Sequence, residues 1–279
     1  MNLAPLAHNL FTLEGRVAVV TGGAGLLGLK HCEIIAAAGG IPIIIDIDAE
    51  KANARSKELS LRFGVDAWGI KADITQPSEI QNVLDTILRR HGRLDILINN
   101  AAIDAKVGKA TSTGFARVEN FSLEKWDIEL NVGLKGTFIC SQVFGGEMAK
   151  RKGGVIVNIG SEYGVNGPDQ RLYEQEGLAA EDQPVKPITY TVVKSGLIGM
   201  SRYFAIYWGP NGVRVNTISL AGVKAGQSDE FVQRYIQQVP LGRMAEPDEY
   251  KGTILYLCAD ASRFLTGVNL VIDGGKSCW

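Results

Sequence analysis

Seven short runs of β-branched and other apolar residues recur along this chain, and their rhythm limits its fold more than any other feature. They are RVAVVT (16–21), IPIIID (41–46), VDAWGIKAD (65–73), RLDILINN (93–100), GVIVNIGS (154–161), GVRVNTIS (212–219) and GVNLVID (267–273). Cores such as VAVV and IIID are apolar at consecutive positions, as strands buried on both faces of a parallel sheet must be. The segments between them, at 26–38, 49–62, 77–91, 123–150, 188–208 and 247–260, carry helical patterns. Pro77, Pro247 and the Ser122-Leu-Glu-Lys start supply helix-opening signals. Repeated strand–helix alternation predicts right-handed βαβ units in an α/β, doubly wound sheet of about seven parallel strands, with helices on both faces. No linker or shift of composition interrupts the 279 residues, so 1–279 is expected to form one domain near the upper size of a continuous core.

Charge and composition remove several function classes. Lys+Arg (29) and Asp+Glu (30) nearly cancel, and no basic stripe with interleaved aromatics is present, so nucleic acid is not an expected partner. The start, MNLAPLAHNLFTLEGR, has neither a basic leader nor a long apolar core, and no stretch approaches the roughly 18 apolar residues of a membrane span. A cytoplasmic protein without a membrane partner is expected. Cys32, Cys140, Cys258 and Cys278 form no CxxC pair, and His8, His31 and His91 have no ligand spacing, so no metal site is expected.

The first strand runs into VVTGGAGLLG, Val19 to Gly28. Gly22 permits a sharp turn, Gly25 and Gly28 permit close approach of backbone and helix to a diphosphate, and the helix opening at Leu26-Leu27 offers unpaired N–H groups. Such a turn alone does not separate a dinucleotide site from an ordinary strand-to-helix turn. The second strand does: it ends in Asp46, 18 positions after Gly28, where a carboxylate can accept hydrogen bonds from an adenosine ribose diol. The following Ile47 and Asp48 include no cation for a 2′-phosphate, and Asp46 would repel one. NAD is therefore expected over NADP in this Rossmann-type arrangement. Asp73, followed by Ile74, ends the third strand and is expected at the adenine amino group.

Tyr190 and Lys194 lie one helical turn apart in ITYTVVKSGL. With TGGAGLLG (21–28), Asp73, NNAA (99–102), Asn131 in ELNVGLKGTF, Ser161 in VNIGS, GVRVNTIS (212–219) and VIDGG (271–275), they span nearly the whole chain in order. The chain thereby resembles the short-chain dehydrogenase/reductase family, in its classical branch. That resemblance implies that Tyr190 is the general acid/base, its phenol (ordinarily near pKa 10) acidified by the Lys194 ammonium. It implies that Tyr190 and Lys194 also meet the nicotinamide ribose, Ser161 the substrate oxygen, and Asn131 a relay water. Asn100 and Ala101 would line the adenosine ribose, Val223 would offer its backbone to the carboxamide, and Asn99 would brace neighbouring strands. A homodimer or homotetramer built on helices 123–150 and 188–208 is implied too.

Three departures matter. Twenty-nine positions separate Ser161 from Tyr190, more than the family's usual interval, so 162–187 reads as an insertion at the substrate rim: a polar lid, with Arg171 or Lys186 as anchor for an acidic group, or a surface excursion. Leu220 and Ala221 replace the proline-glycine expected before the loop over the nicotinamide, and Ala225 replaces a threonine. The expected reaction is interconversion of a secondary alcohol and a ketone on a small, polar, carbohydrate-like molecule. Alternatives are a sugar-nucleotide epimerase or dehydratase with tightly bound NAD, to which the glycine spacing with Leu26 points, and a catalytically silent NAD-binding regulator. A serine hydrolase is disfavoured, because GSEYG is no nucleophile elbow.

Overall fold

In the computed structural model, which describes residues 4–103 and 116–278, each of the seven apolar runs supplies a strand. These are β1 Val17–Thr21, β2 Ile41–Asp46, β3 Trp68–Lys71, β4 Ile96–Asn99, β5 Gly154–Ser161, β6 Val213–Leu220 and β7 Asn269–Ile272. They form one sheet in the order β3-β2-β1-β4-β5-β6-β7, every neighbouring pair parallel. The chain winds outward from β1 through β2 to β3, then returns to the other side of β1 as β4. At that reversal the connections leave β1 and β4 in opposite directions, opening a crevice at their C-terminal ends.

Successive residues of one strand feed opposite layers of core, which is why the runs are apolar without alternation. Val17, Val19, Ile43, Ile45 and Leu97 pack on one face with Ile87 and Phe144. Ala18, Val20, Ile44 and Ile98 pack on the other with Ile35 and Leu257. The helices are α1 Ala4–Phe11, α2 Leu26–Ala37, α3 Ala49–Phe63, α4 Pro77–His91, α5 Leu123–Leu130, α6 Thr137–Cys140, α7 Gly146–Lys150, α8 Ile188–Trp208, α9 Asp229–Ile236 and α10 Lys251–Cys258. No helix among the described residues is long and apolar enough to cross a membrane.

The structure differs from the expected outline in three places. The helix over 123–150 is continuous but widens into π turns at Asn131–Gly136 and Ser141–Gly145. The strand over 65–73 is confined to Trp68–Lys71, because β3 is the sheet edge and pairs only with β2. Helices α1 and α9 lie outside the expected set. Of the loop expected over 103–120, residues 104–115 fall outside the described part. The segment 162–187 is built of short 3₁₀ turns, Glu162–Gly164, Gln170–Tyr173 and Ala180–Asp182.

Candidate active site

The glycine turn is held from two sides. Gly22 has φ +60°, in the left-handed region, and a Cβ there would come within 2.9 Å of the Ala101 Cα. At Gly28 a Cβ would lie 2.2 Å from the Gly22 carbonyl oxygen, so only glycine lets α2 sit this close over the turn. Asn100 Nδ2 donates to the carbonyls of Thr21 (3.0 Å) and Gly22 (3.1 Å). Thr21 Oγ1 in turn accepts from the N–H groups of Asn100 and Ala101. Asn100 and Ala101 thus shape the turn as well as border it. Gly25 caps α2 with extended backbone, Leu26 is exposed, and Leu27 packs partly on the core. The side chain at Leu26 therefore does not obstruct the free N–H groups of the first helical turn.

Asp46 is aimed at that turn. Its Oδ2 accepts from the Ala24 N–H and its Oδ1 from the Asp48 N–H, both at 3.2 Å. Each oxygen retains a lone pair, and the neighbouring Ile47 is exposed. On the next strand connection, Asp73 Oδ1 accepts from the Thr75 N–H and hydroxyl, both 2.8 Å, while its own N–H is taken by Glu79. The Ile74 side chain is buried in the core, so toward a ligand Ile74 has only backbone to offer.

The second group of residues meets where α8 crosses the end of β5. Lys194 is 6 % exposed and donates through Nζ to the Ile159 carbonyl at 2.7 Å, two residues before Ser161. That bond ties α8 to the strand that carries Ser161. Lys194 Nζ also lies 5.6 Å from the centroid of the Tyr190 ring, as their spacing of one helical turn requires. Ser161 ends β5 in extended conformation, and its Oγ accepts from the Tyr163 N–H at 3.2 Å. Tyr163 packs edge-on against Tyr190, with ring centroids 6.3 Å apart. Asn131 is the first residue of a π turn, where the regular backbone pattern is interrupted. Beside it, a small recess is lined by Ala102, Ile103, Glu129, Tyr190, Val193 and Lys194. Glu129 Oε2 accepts from the Thr189 hydroxyl, which fixes a carboxylate there. Asn99 Nδ2 donates to Ser141 Oγ and Asn158 Oδ1, bracing β4 against its neighbours.

Comparisons with known proteins agree with this geometry. A family model described as enoyl-(acyl carrier protein) reductase matches residues 25–277. The chain is 34% identical to D-threitol dehydrogenase of Mycolicibacterium smegmatis over 273 residues, 95% of this chain and 94% of that one. It is 32% identical to subunit BbsD of (2S)-[(R)-hydroxy(phenyl)methyl]succinyl-CoA dehydrogenase of Thauera aromatica over 269 residues, 95% and 98% of the two chains. The chain belongs to the short-chain dehydrogenase/reductase family. The crystal structure of NAD+-bound xylitol dehydrogenase shares its fold, with a TM-score of 0.81 at 26% identity, covering 94% of this chain and 99% of that one.

As a short-chain dehydrogenase/reductase it is an oxidoreductase, and the parts of its site that the sequence did not disclose lie around the long insertion. Glu162, next to Ser161 and 4 % exposed, accepts from the Tyr235 hydroxyl at 2.7 Å and pairs with Lys276 Nζ at 3.0 Å. Burial pushes the Glu162 carboxyl above the usual carboxylate range, against the pull of Lys276 and Tyr235. Tyr235, on α9, also accepts from the Gly222 N–H at 2.6 Å. One chain of bonds therefore joins the residue after Ser161, helix α9, and the backbone just before Val223. The insertion packs on the same helix: Leu172 is buried with Tyr235, Val239 and Met244. Arg171 is exposed and engaged by the Asp169 carboxylate at 2.8 Å, while Lys186 lies over the Tyr190 ring. Of the two anchors named for the insertion, only Lys186 faces the site.

The chain from Leu220 to Gln227 is well braced, although Leu220 and Ala221 stand where proline and glycine are expected. Leu220 extends β6, the Ala221 N–H donates to the Ile272 carbonyl, and Val223 bridges Ala245. The Val223 carbonyl accepts from Gln227 Nε2 at 2.8 Å, and the Ala225 N–H donates to Gln227 Oε1. Val223 retains its N–H and one carbonyl lone pair for a ligand.

Proposed function

We propose that this chain is an NAD(H)-dependent dehydrogenase that interconverts a secondary alcohol and a ketone on a polar, carbohydrate-like molecule. The observation that carries the reading is the Lys194–Ile159 bond, because it binds the tyrosine–lysine helix to the strand ending in Ser161, beside the glycine cradle. The residues present fit a dinucleotide: a Cβ at Gly22 or Gly28 would collide with the turn's own packing, so glycine there keeps α2 close over the turn, and Asp46 lies against it with lone pairs to spare. Asp46 and the absence of a cation at Ile47 and Asp48 support NAD over NADP. The carbohydrate-like class is supported by the polar insertion and by relatives named for threitol and xylitol.

When bound, the nicotinamide supplies the hydride acceptor. In the oxidation direction Tyr190 Oη takes the hydroxyl proton, and the Lys194 ammonium stabilises the phenolate that accepts it. Ser161 Oγ–H donates to the substrate oxygen as its charge develops. Asn131, at its π turn, would hold a water that passes the proton outward. Replacing Asp46 by alanine is expected to weaken NAD by about 10- to 100-fold, the cost of losing a charge-assisted acceptor. Calorimetric titration with NAD tests this, and an unchanged dissociation constant would sink the ribose assignment. Screening a panel of polyols and sugars for NADH production tests the reaction; turnover without net NADH would point to an epimerase.

The same reading includes a homodimer or homotetramer. Leu123 and Phe138 on one helix and Tyr203, Ile206 and Tyr207 on α8 are exposed large apolar groups, and a partner copy would cover them. Light scattering of the purified chain is expected to give twice or four times the 30.1 kDa monomer, and a monomer at micromolar concentration would refute it.

A further inference from the structure

Lys186 lies with its ammonium 4.1 Å above the centroid of the Tyr190 ring, nearer than Lys194 at 5.6 Å. It is the penultimate residue of the 162–187 insertion. Its backbone is clamped on both sides by one side chain: the Lys186 N–H donates to Gln170 Oε1 at 2.8 Å, and Gln170 Nε2 donates to the Lys186 carbonyl at 3.3 Å. Gln170 opens the 3₁₀ turn whose Leu172 is buried against α9. On the other side, Pro187 caps α8, and its carbonyl accepts from the Tyr190 N–H at 3.3 Å. The insertion is thus an arm anchored at Leu172 that delivers one ammonium to the face of one ring.

We infer that Lys186 is an electrostatic positioning residue: a second cation that acts through Tyr190, favours its phenolate, and is the reason for the insertion. An ammonium over an aromatic face is attracted by the negative face of the ring, and the attraction grows when the ring carries phenolate charge. An opposite charge at this range favours the charged form of a titrating group. Among the described residues, the groups facing Tyr190 are Lys186, Lys194, the Tyr163 phenol and Glu129, which binds neighbouring Thr189. Tyr163 is neutral, because burial pushes its phenol up, and it is bonded to the Tyr173 hydroxyl. Both ammonium groups act on the phenol in the same sense, and replacing Lys186 removes one of them.

The inference rests on Tyr190 as general base, and the test separates the two. Phenolate absorbance is titrated with pH in the intact protein, with the Tyr190→Phe trace subtracted to isolate Tyr190. Lys186→Met is expected to raise the Tyr190 midpoint by about one pH unit, and to move the pH profile of kcat/KM for alcohol oxidation upward by the same amount. Below the wild-type midpoint, that shift means about tenfold lower kcat/KM. Lys186→Arg is expected to keep both midpoints, and Gln170→Ala to shift them in the same direction as Lys186→Met but less. Unmoved midpoints in Lys186→Met, or equal shifts in the Met and Arg variants, overturn the inference. Full activity in Tyr190→Phe would instead remove the general-base reading, whereas the absorbance titration reports the field of Lys186 either way.

Discussion

Replacing Tyr190 by phenylalanine lowers kcat by about 10²- to 10⁴-fold, the usual contribution of a positioned acid or base, while NAD affinity stays within a few-fold of wild type. The split follows from what the variant keeps. Lys194 remains bonded to the Ile159 carbonyl, Ser161 remains at the end of β5, and the glycine cradle lies on other elements. Only the phenolic oxygen is lost. No neighbouring tyrosine replaces it. Burial pushes the Tyr163 phenol up, and Tyr235 is pushed up by burial and committed to Glu162 and Gly222. Steady-state kinetics with the best polyol from the screen, beside calorimetric NAD titration, reads both halves. Equal turnover in the variant would overturn the assignment of the base, and a collapse of NAD affinity would move Tyr190 from chemistry to cofactor binding.

What could be read from the sequence shares a physical cause: it depends on local spacing. A strand buried on both faces must be apolar at consecutive positions, so the seven strands and their parallel pairing were visible as composition. Gly22, Gly28 and Asp46 were legible because a sharp turn, a close helix approach and a carboxylate set against that turn each require a residue type at a fixed interval. Tyr190 and Lys194 share a helix face for the same reason. The two π turns were hidden because each adds one residue to a turn without breaking the amphipathic pattern on either side.

The remainder of the site was illegible because its partners lie far apart in the chain. Glu162 and Tyr235 are 73 positions apart, and nothing around either residue announces the other. A glutamate after the serine reads as a solvated charge until α9 and Lys276 enclose it. Helix α9 is the exception, because its signal is local: Ser228 caps it, Asp229 and Glu230 fill its first turn, and Phe231, Val232, Tyr235 and Ile236 form an apolar stripe at helical spacing that packs with Leu172. Lys186 was named only as an anchor for substrate; that its ammonium sits on the Tyr190 ring depends on the Gln170 clamp. For Glu162 and Lys186 alike, a tertiary contact, not a propensity, decides where the charge lies.

The same logic makes His31 the acid-sensitive point of the fold. It lies on α2, within one turn of Gly28, and is 0 % exposed; neither ring nitrogen has a hydrogen-bond partner among the described residues. Burial lowers its pKa from 6.5 to about 3, so the folded protein holds it neutral across that window while the unfolded chain takes up a proton. Protons therefore favour unfolding between pH 6.5 and about 3, and the contribution of His31 to stability is complete above 6.5 and lost on acidification. Over two pH units, from 6.5 to 4.5, the loss is about 2 kcal/mol, a large share of the roughly 5–15 kcal/mol that holds a domain folded. The paired carboxylates Asp169 and Glu249, held down to about 2, titrate mostly below this range. His91, whose pKa is also lowered by burial, adds a smaller slope in the same direction. His31→Leu removes both the unsatisfied nitrogens and the titration. Urea unfolding at pH 7 and pH 4.5 is expected to show most of the acid loss disappearing in that variant, with His91 accounting for the remainder. Parallel losses in wild type and variant would refute the assignment, and would mean that the folded protein admits a proton, and with it water, to the base of α2.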